Sequence, residues 1–217
     1  MKIKKSILLV YHGIKLIFRP DRSIKSLLFL GDEIALSKAS KEAVKVLLRD
    51  KSLHRMFTYK EGLHKLELDK LKSCGANSFG RDVYDFYTER NLHIYPMKDV
   101  ENMSAEIYVS ERIRKIHDLL HVILGFDTDL IGEAKVNAFV ANQLRMPMSF
   151  LIICGIILKY FFSQPLQFRA LINEIIEGWE TGNQFQNFLS VDWDEKLDLP
   201  IEEVKRSFSI QKRRLAA

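Results

Sequence analysis

Only two cysteines occur in the 217 residues, Cys74 and Cys154, far apart and without metal-type spacing. That excludes a disulfide-stapled scaffold and a thiolate cluster, and it makes a reduced compartment the expected home. Five prolines and ten glycines are too few for a linker-rich or fibrous chain. Alternating apolar and polar runs of strand type are scarce, so little is available to build a sheet. The longest apolar stretch, Phe150 to Leu158, continues past Lys159 through Tyr160, Phe161 and Phe162. It falls short of the roughly 20 residues that a bilayer-crossing helix requires. The net charge of +5 comes from dispersed basic residues without a nucleic-acid motif, so nucleic acid is not an expected partner. No internal repeat or low-complexity tract is present.

What remains is a chain that is 47% hydrophobic, enough for one substantial core. Pro20, Pro96, Pro147, Pro165 and Pro200 punctuate long helix-like stretches. The expected fold is all-α, a single compact helical domain over residues 1–217. Helices are expected from Ser37 to Asp50 and from Thr58 to Ser73, the second opening with a Thr58/Glu61 capping box. Gly75 and Gly80 surround a loop leading into an aromatic helix. Such a loop can set backbone donors and Arg81 near an anion, although a simple turn is the commoner outcome. Another helix begins at Ser163-Gln164-Pro165 and ends near Gly182, and Pro200 opens the last one.

The chemistry-bearing feature is His117-Asp118-Leu119-Leu120-His121, followed after eleven residues by Glu133. Apolar residues at Ile107, Ile113, Ile116, Leu120 and Ile123 have helical spacing, with Gly125 as the C-terminal stop. At about 100° per residue, His117, Asp118 and His121 fan across one arc of the helix surface. Cap-type residues at Asp127 and Asp129 then start a second helix on Leu130, Ile131, Ala134, Ala138, Phe139 and Ala141. A short link makes the pair a helix hairpin that swings Glu133 back towards the histidines. Two imidazoles and two carboxylates neutralise a divalent cation and suit zinc, manganese, iron or cobalt. Magnesium is admitted if carboxylates and water dominate. The plainer alternative is an ordinary helix with two histidines and a solvated acidic face. Against it, both histidines interrupt an otherwise apolar stripe, where an unpaired polar group is costly.

Two segments address lipid. Ile3, Ile7, Val10, Tyr11, Ile14, Ile17 and Phe18 keep helical spacing among Lys2, Lys4, Lys5, Lys15 and Arg19. Residues 1–20 thus read as a basic amphipathic helix, either on a membrane surface or packed with its basic face in water. A cleavable signal peptide is disfavoured by His12 and Lys15 within the apolar stretch. The Phe150–Leu158 run reads as a buried helix or as the wall of an apolar lipid groove.

These residues resemble the fourth coenzyme Q biosynthesis protein family, whose hallmark is HDxxH, eleven residues, then Glu. The likeness extends through Tyr108-Val109, Arg112 and Arg114 before the motif, and Phe139, Gln143 and Met146-Pro147-Met148 after Glu133. It also takes in Ser78-Phe79-Gly80-Arg81 to Tyr84, Gly178-Trp179, Gly182 and Asp192-Trp193. The sequence departs from the pattern at Lys115, where an acidic residue often stands, and at Phe79, where a smaller aliphatic one is common. The resemblance implies a helical, membrane-associated protein of quinone biosynthesis, with a metal at the His, Asp and Glu constellation and affinity for polyprenyl lipid. It further implies oxidative removal of the ring C1 carboxylate from a polyprenylated hydroxybenzoate, and partners among other quinone biosynthesis proteins. The implied location is peripheral, on the cytoplasmic face of a membrane, or on the matrix side of the mitochondrial inner membrane in a eukaryote.

The resulting expectation is a metal-dependent decarboxylase or lyase in which His117, Asp118, His121 and Glu133 hold the ion, zinc first among the candidates. Arg112 or Arg114 pairs with the substrate carboxylate, and the prenyl tail lies along Phe150 to Leu158. A homodimer is a candidate assembly. One rival is a non-catalytic prenyl-lipid-binding scaffold that organises a quinone biosynthesis complex. A second is a metallohydrolase, either zincin-like, with Asp118 one methylene shorter than the usual Glu general base, or of the HD phosphohydrolase type, for which His93 and Asp192 are available as further ligands without specific support from their positions.

Overall fold

The computed structural model describes residues 11–12, 24–59, 66–94 and 102–209. Most of the segment 1–20 lies outside them. Eleven α-helices run through the described residues: α1 Ile24–Ala35, α2 Lys38–Leu47, α3 His54–Tyr59, α4 Leu68–Lys72, α5 Phe79–Glu89, α6 Ala105–Leu124, α7 Leu130–Leu144, α8 Pro147–Ser163, α9 Phe168–Gly182, α10 Trp193–Lys196 and α11 Ile201–Phe208. No strand occurs among them; Phe185 and Ser209 form one isolated bridge.

Helix ends follow local chemistry. Ser37, Ser78, Ser104 and Asp129 each sit before a helix in extended backbone and accept a hydrogen bond from an amide of the first turn. Each such cap contributes about 1 kcal/mol. The long α6 stops at Gly125, whose φ of 68° is a left-handed conformation that glycine adopts without penalty. Pro147 stands in the first turn of α8 and Pro200 immediately precedes α11, both positions that tolerate a missing amide.

The expected helix from Thr58 to Ser73 is not formed as one piece. Thr58 falls in the closing turn of α3, its hydroxyl 3.4 Å from His54 Nε2, and a separate short helix begins only at Leu68. Residues 60–65 between them lie outside the described residues. Capping chemistry at Thr58 is outweighed by the burial of Leu53 and Met56, which sets the preceding helix first.

The core gathers on α6. Tyr108, Ile116, Leu119 and Leu120 are fully buried there, against Phe139 from α7, Trp193 from α10 and Phe208 from α11. Trp193 donates its indole N–H to the Phe188 carbonyl at 3.0 Å, so its large apolar ring is buried without an orphan donor. Phe79 packs on Trp193, and Lys115 donates to the Leu66 carbonyl at 3.2 Å. The two departures from the family pattern thus serve packing and a loop. Helices α7 and α9 are held together by Lys135, which pairs with Glu174 at 2.6 Å and Glu177 at 2.9 Å. Gln143 adds bonds to the carbonyls of Gly182, Phe185 and Gln186. No helix among the described residues is long and apolar enough to cross a membrane.

Candidate metal centre

The last turns of α6, the link Gly125–Asp129 and the first turn of α7 together build one cluster. His117 and His121 are one helical turn apart, their rings edge to face with centroids 4.9 Å apart. Asp129 caps α7 by accepting from the Gly132 amide at 2.8 Å, which starts the helix at Leu130 and sets Glu133 in its first turn. Gly132 itself lies so close to the Asp127 carbonyl that any Cβ there would collide with it. A side chain at 132 would therefore push the first turn of α7 off the link and carry Glu133 with it.

His117 Nε2 lies 3.2 Å from Glu133 Oε2 and 3.2 Å from His121 Nε2, and His121 Nε2 lies 3.4 Å from Glu133 Oε1. Ligands about 2.0–2.1 Å from a tetrahedral ion stand roughly 3.3 Å apart. The two imidazole nitrogens stand at about that spacing and each faces a different oxygen of the Glu133 carboxylate, so a zinc-sized cation has donors on both sides of it. The set leaves coordination positions for solvent or substrate.

The surroundings set protonation. His121 is almost fully buried, and its Nδ1 lies 3.1 Å from the Phe126 carbonyl. A carbonyl can only accept, so Nδ1 carries a proton, which leaves Nε2 as the nitrogen that would face an ion. Phe86 of α5 stacks on that ring with centroids 6.0 Å apart. Burial pulls the His117 imidazolium down, but the Glu133 carboxylate, aided by Asp118, more than reverses this and raises its pKa to about 9. Burial likewise opposes charge on Glu133, yet His117 and His121 hold its carboxyl far below the usual range. Without an ion the pair therefore carries opposite charges, and a cation must displace the His117 proton.

The structure brings three of the expected ligands together: His117, His121 and Glu133 have ligand atoms within 4.8 Å of one another. Asp118 stands outside that group. Its Oδ2 accepts from the hydroxyl of buried Tyr87 at 2.7 Å, and its charge still acts on His117. Burial first, then the charge and hydrogen bond of Asp118, push the Tyr87 hydroxyl upward, so it stays a donor. Arg112 is buried and donates to the Val191 carbonyl at 3.2 Å. Arg114 pairs with Glu111 at 2.9 Å and Asp32 at 3.2 Å. Both guanidiniums are thus engaged by protein groups.

Neither His93 nor Asp192 enters the cluster; Asp192 caps α10 and pairs with Arg55 at 3.5 Å. The loop before α5 also forms an ordinary turn. Arg81 donates to the carbonyls of Lys72 and Cys74, while the Phe79 and Gly80 amides go to Leu199 and Leu197. Sequence reasoning missed Tyr87, Phe86 and the Phe126 carbonyl. The aromatic run at 84–87 was the available signal, but its facing partner comes from thirty-one residues away.

Fold and cluster together define a helical protein with a candidate metal centre of two histidines and one carboxylate. Residues 1–214 match the family model described as Coenzyme Q (ubiquinone) biosynthesis protein Coq4, and the chain belongs to that family. It is 32% identical over 158 residues to the mitochondrial ubiquinone biosynthesis protein COQ4 homolog of Bos taurus, covering 68% of this chain and 56% of that protein. With the mitochondrial ubiquinone biosynthesis protein COQ4 of Lachancea thermotolerans the identity is 23% over 214 residues, covering 95% of this chain and 64% of the relative. The chain spans about three-fifths of the length of these curated relatives. A crystal structure of a candidate ubiquinone biosynthesis protein from Nostoc punctiforme superposes with a TM-score of 0.79 at 21% identity, covering 94% of this chain and 97% of that one. That likeness establishes the shared all-helical fold.

Proposed function

We propose that this chain is a metal-dependent decarboxylase of ubiquinone assembly, acting oxidatively at ring C1 of a polyprenylated hydroxybenzoate with an external oxidant. The observation that carries the reading is the convergence of His117, His121 and Glu133 at ion-sized spacing in a chain of this family. These three hold the cation, and the Asp118 carboxylate adds charge beside His117. When bound, a divalent ion of the zinc class supplies Lewis acidity towards the phenolic and carboxylate oxygens of the aromatic head. With its Nδ1 proton on the Phe126 carbonyl, His121 leaves Nε2 for the ion, and Phe86 closes one side against water. Arg114, three residues before His117, is the candidate partner for the substrate carboxylate, which would compete with Asp32 for it. The prenyl tail follows the exposed apolar residues Phe150, Leu151 and Leu158 of α8 at a membrane surface.

The engaged state of Arg112 and Arg114 favours one second reading, a lipid-presenting scaffold whose ion is structural. Purified chain given a polyprenylated hydroxybenzoate and dioxygen separates the two. Carbon dioxide release that stops on chelation and in His121→Ala supports the enzyme. Tight lipid binding without release supports the scaffold.

A further inference from the structure

Exposure along α8 rises towards its C-terminal end. Phe150 and Leu151 are 41% and 37% exposed near its start, whereas Phe161, Phe162 and Leu166 at its end and the following turn reach 60%, 71% and 99%. Large apolar side chains this open to water project from the molecule rather than fill a crevice. Phe161 lies edge to face with Phe162 at 5.1 Å and with Phe168 at 6.3 Å, so the rings make one aromatic pad. Its charges all have one sign: between Pro147 and Asn173 there is no Asp or Glu, while Lys159 and Arg169 flank the pad.

Part of the backbone of this turn is already paired within the chain. Ser163 Oγ donates to the Lys159 carbonyl at 2.6 Å, the Gln164 amide to Tyr160 at 2.8 Å and the Gln167 amide to Gln164 at 3.0 Å. Groups already paired within the chain cost least when moved out of water.

We propose that the end of α8 and the turn after it, through Phe161, Phe162 and Leu166 with Lys159 and Arg169, dock this protein on the surface of an anionic bilayer. The apolar pad enters the boundary between headgroups and acyl chains, and the two cations meet anionic headgroups. A second copy of the chain fits less well. The projecting tip offers on the order of 500 Å², less than the roughly 800 Å² per partner of a standard interface. Pairing two tips would also bring their cations together without an acidic partner from this segment. The inference rests on the membrane-surface part of the proposed function and is independent of the metal centre.

The test is flotation of the full chain with phosphatidylcholine vesicles, with and without 30% phosphatidylglycerol (about one lipid in three). Wild type is expected to float with the anionic vesicles. A Phe161→Ser, Phe162→Ser, Leu166→Ser variant should lose at least about tenfold in partitioning, with its helical circular dichroism and bound metal unchanged. A Lys159→Glu, Arg169→Glu variant should fall to the level seen on neutral vesicles. In an otherwise wild-type chain, Leu166→Trp should show a blue-shifted emission on anionic vesicles, a readout that does not depend on the triple variant folding. Wild-type partitioning by the triple variant, or an unshifted emission from the Leu166→Trp chain, overturns the proposal. So does a triple variant that only turns a dimer into a monomer, since the pad would then serve a second copy.

Discussion

At the residue scale, His117, His121 and Glu133 are read from spacing alone, because one helical turn and one capped link suffice to place them. Their partners were not legible. Tyr87 and Phe86 come from a distant helix, and the Phe126 carbonyl acts through backbone, which has no sequence signature. The hydroxyl of buried Tyr87 makes a part-buried bond to the Asp118 carboxylate, worth about 1–2 kcal/mol. Tyr87→Phe should cost that much by urea unfolding in wild type and nothing in an Asp118→Ala background. Equal costs in both backgrounds would show that the bond carries no coupling.

The charged pair gives a pH signature in metal-stripped protein. The pKa of His117 is raised from 6.5 to about 9, so its contribution is complete below pH 6.5 and lost as pH rises through about 9. Glu133 is depressed from 4.5, so its contribution is complete above pH 4.5 and lost as pH falls through its lowered value. Both act fully between about pH 4.5 and 6.5. Between pH 6.5 and 9.5 the wild type should lose more stability than Glu133→Gln, measured by urea midpoints. Parallel curves would contradict the pairing.

At the element scale, the hairpin was the most readable part of the fold, since Gly125 and Asp129 are punctuation with a local mechanism. The segment from Thr58 to Ser73 was misread because a capping pattern cannot report where an earlier buried turn has already begun. The same logic makes Asp129 a test of how the link positions the site. Asp129→Ala should cost about 1 kcal/mol of stability from the lost cap, and it should weaken zinc binding, measured by competition with a chromophoric chelator. Unchanged affinity would show that Glu133 is placed by packing alone.

At the scale of the whole molecule, the all-helical class followed from what was scarce, namely strand-type alternation and bilayer-length runs. The aromatic core that joins Phe139, Phe188, Trp193 and Phe208 was beyond reach, because it unites residues that only the tertiary fold brings near one another. That core packs α6 against α7, and the Lys135 bridges hold α7 to α9, which together support the arrangement on which the cluster depends. The most direct measurement is elemental analysis of the purified chain after loading with zinc and desalting. One tightly held ion per wild-type chain is predicted, with less than about a tenth of that in His121→Ala and Glu133→Gln. No retained ion in wild type, or full retention in both variants, would contradict the account.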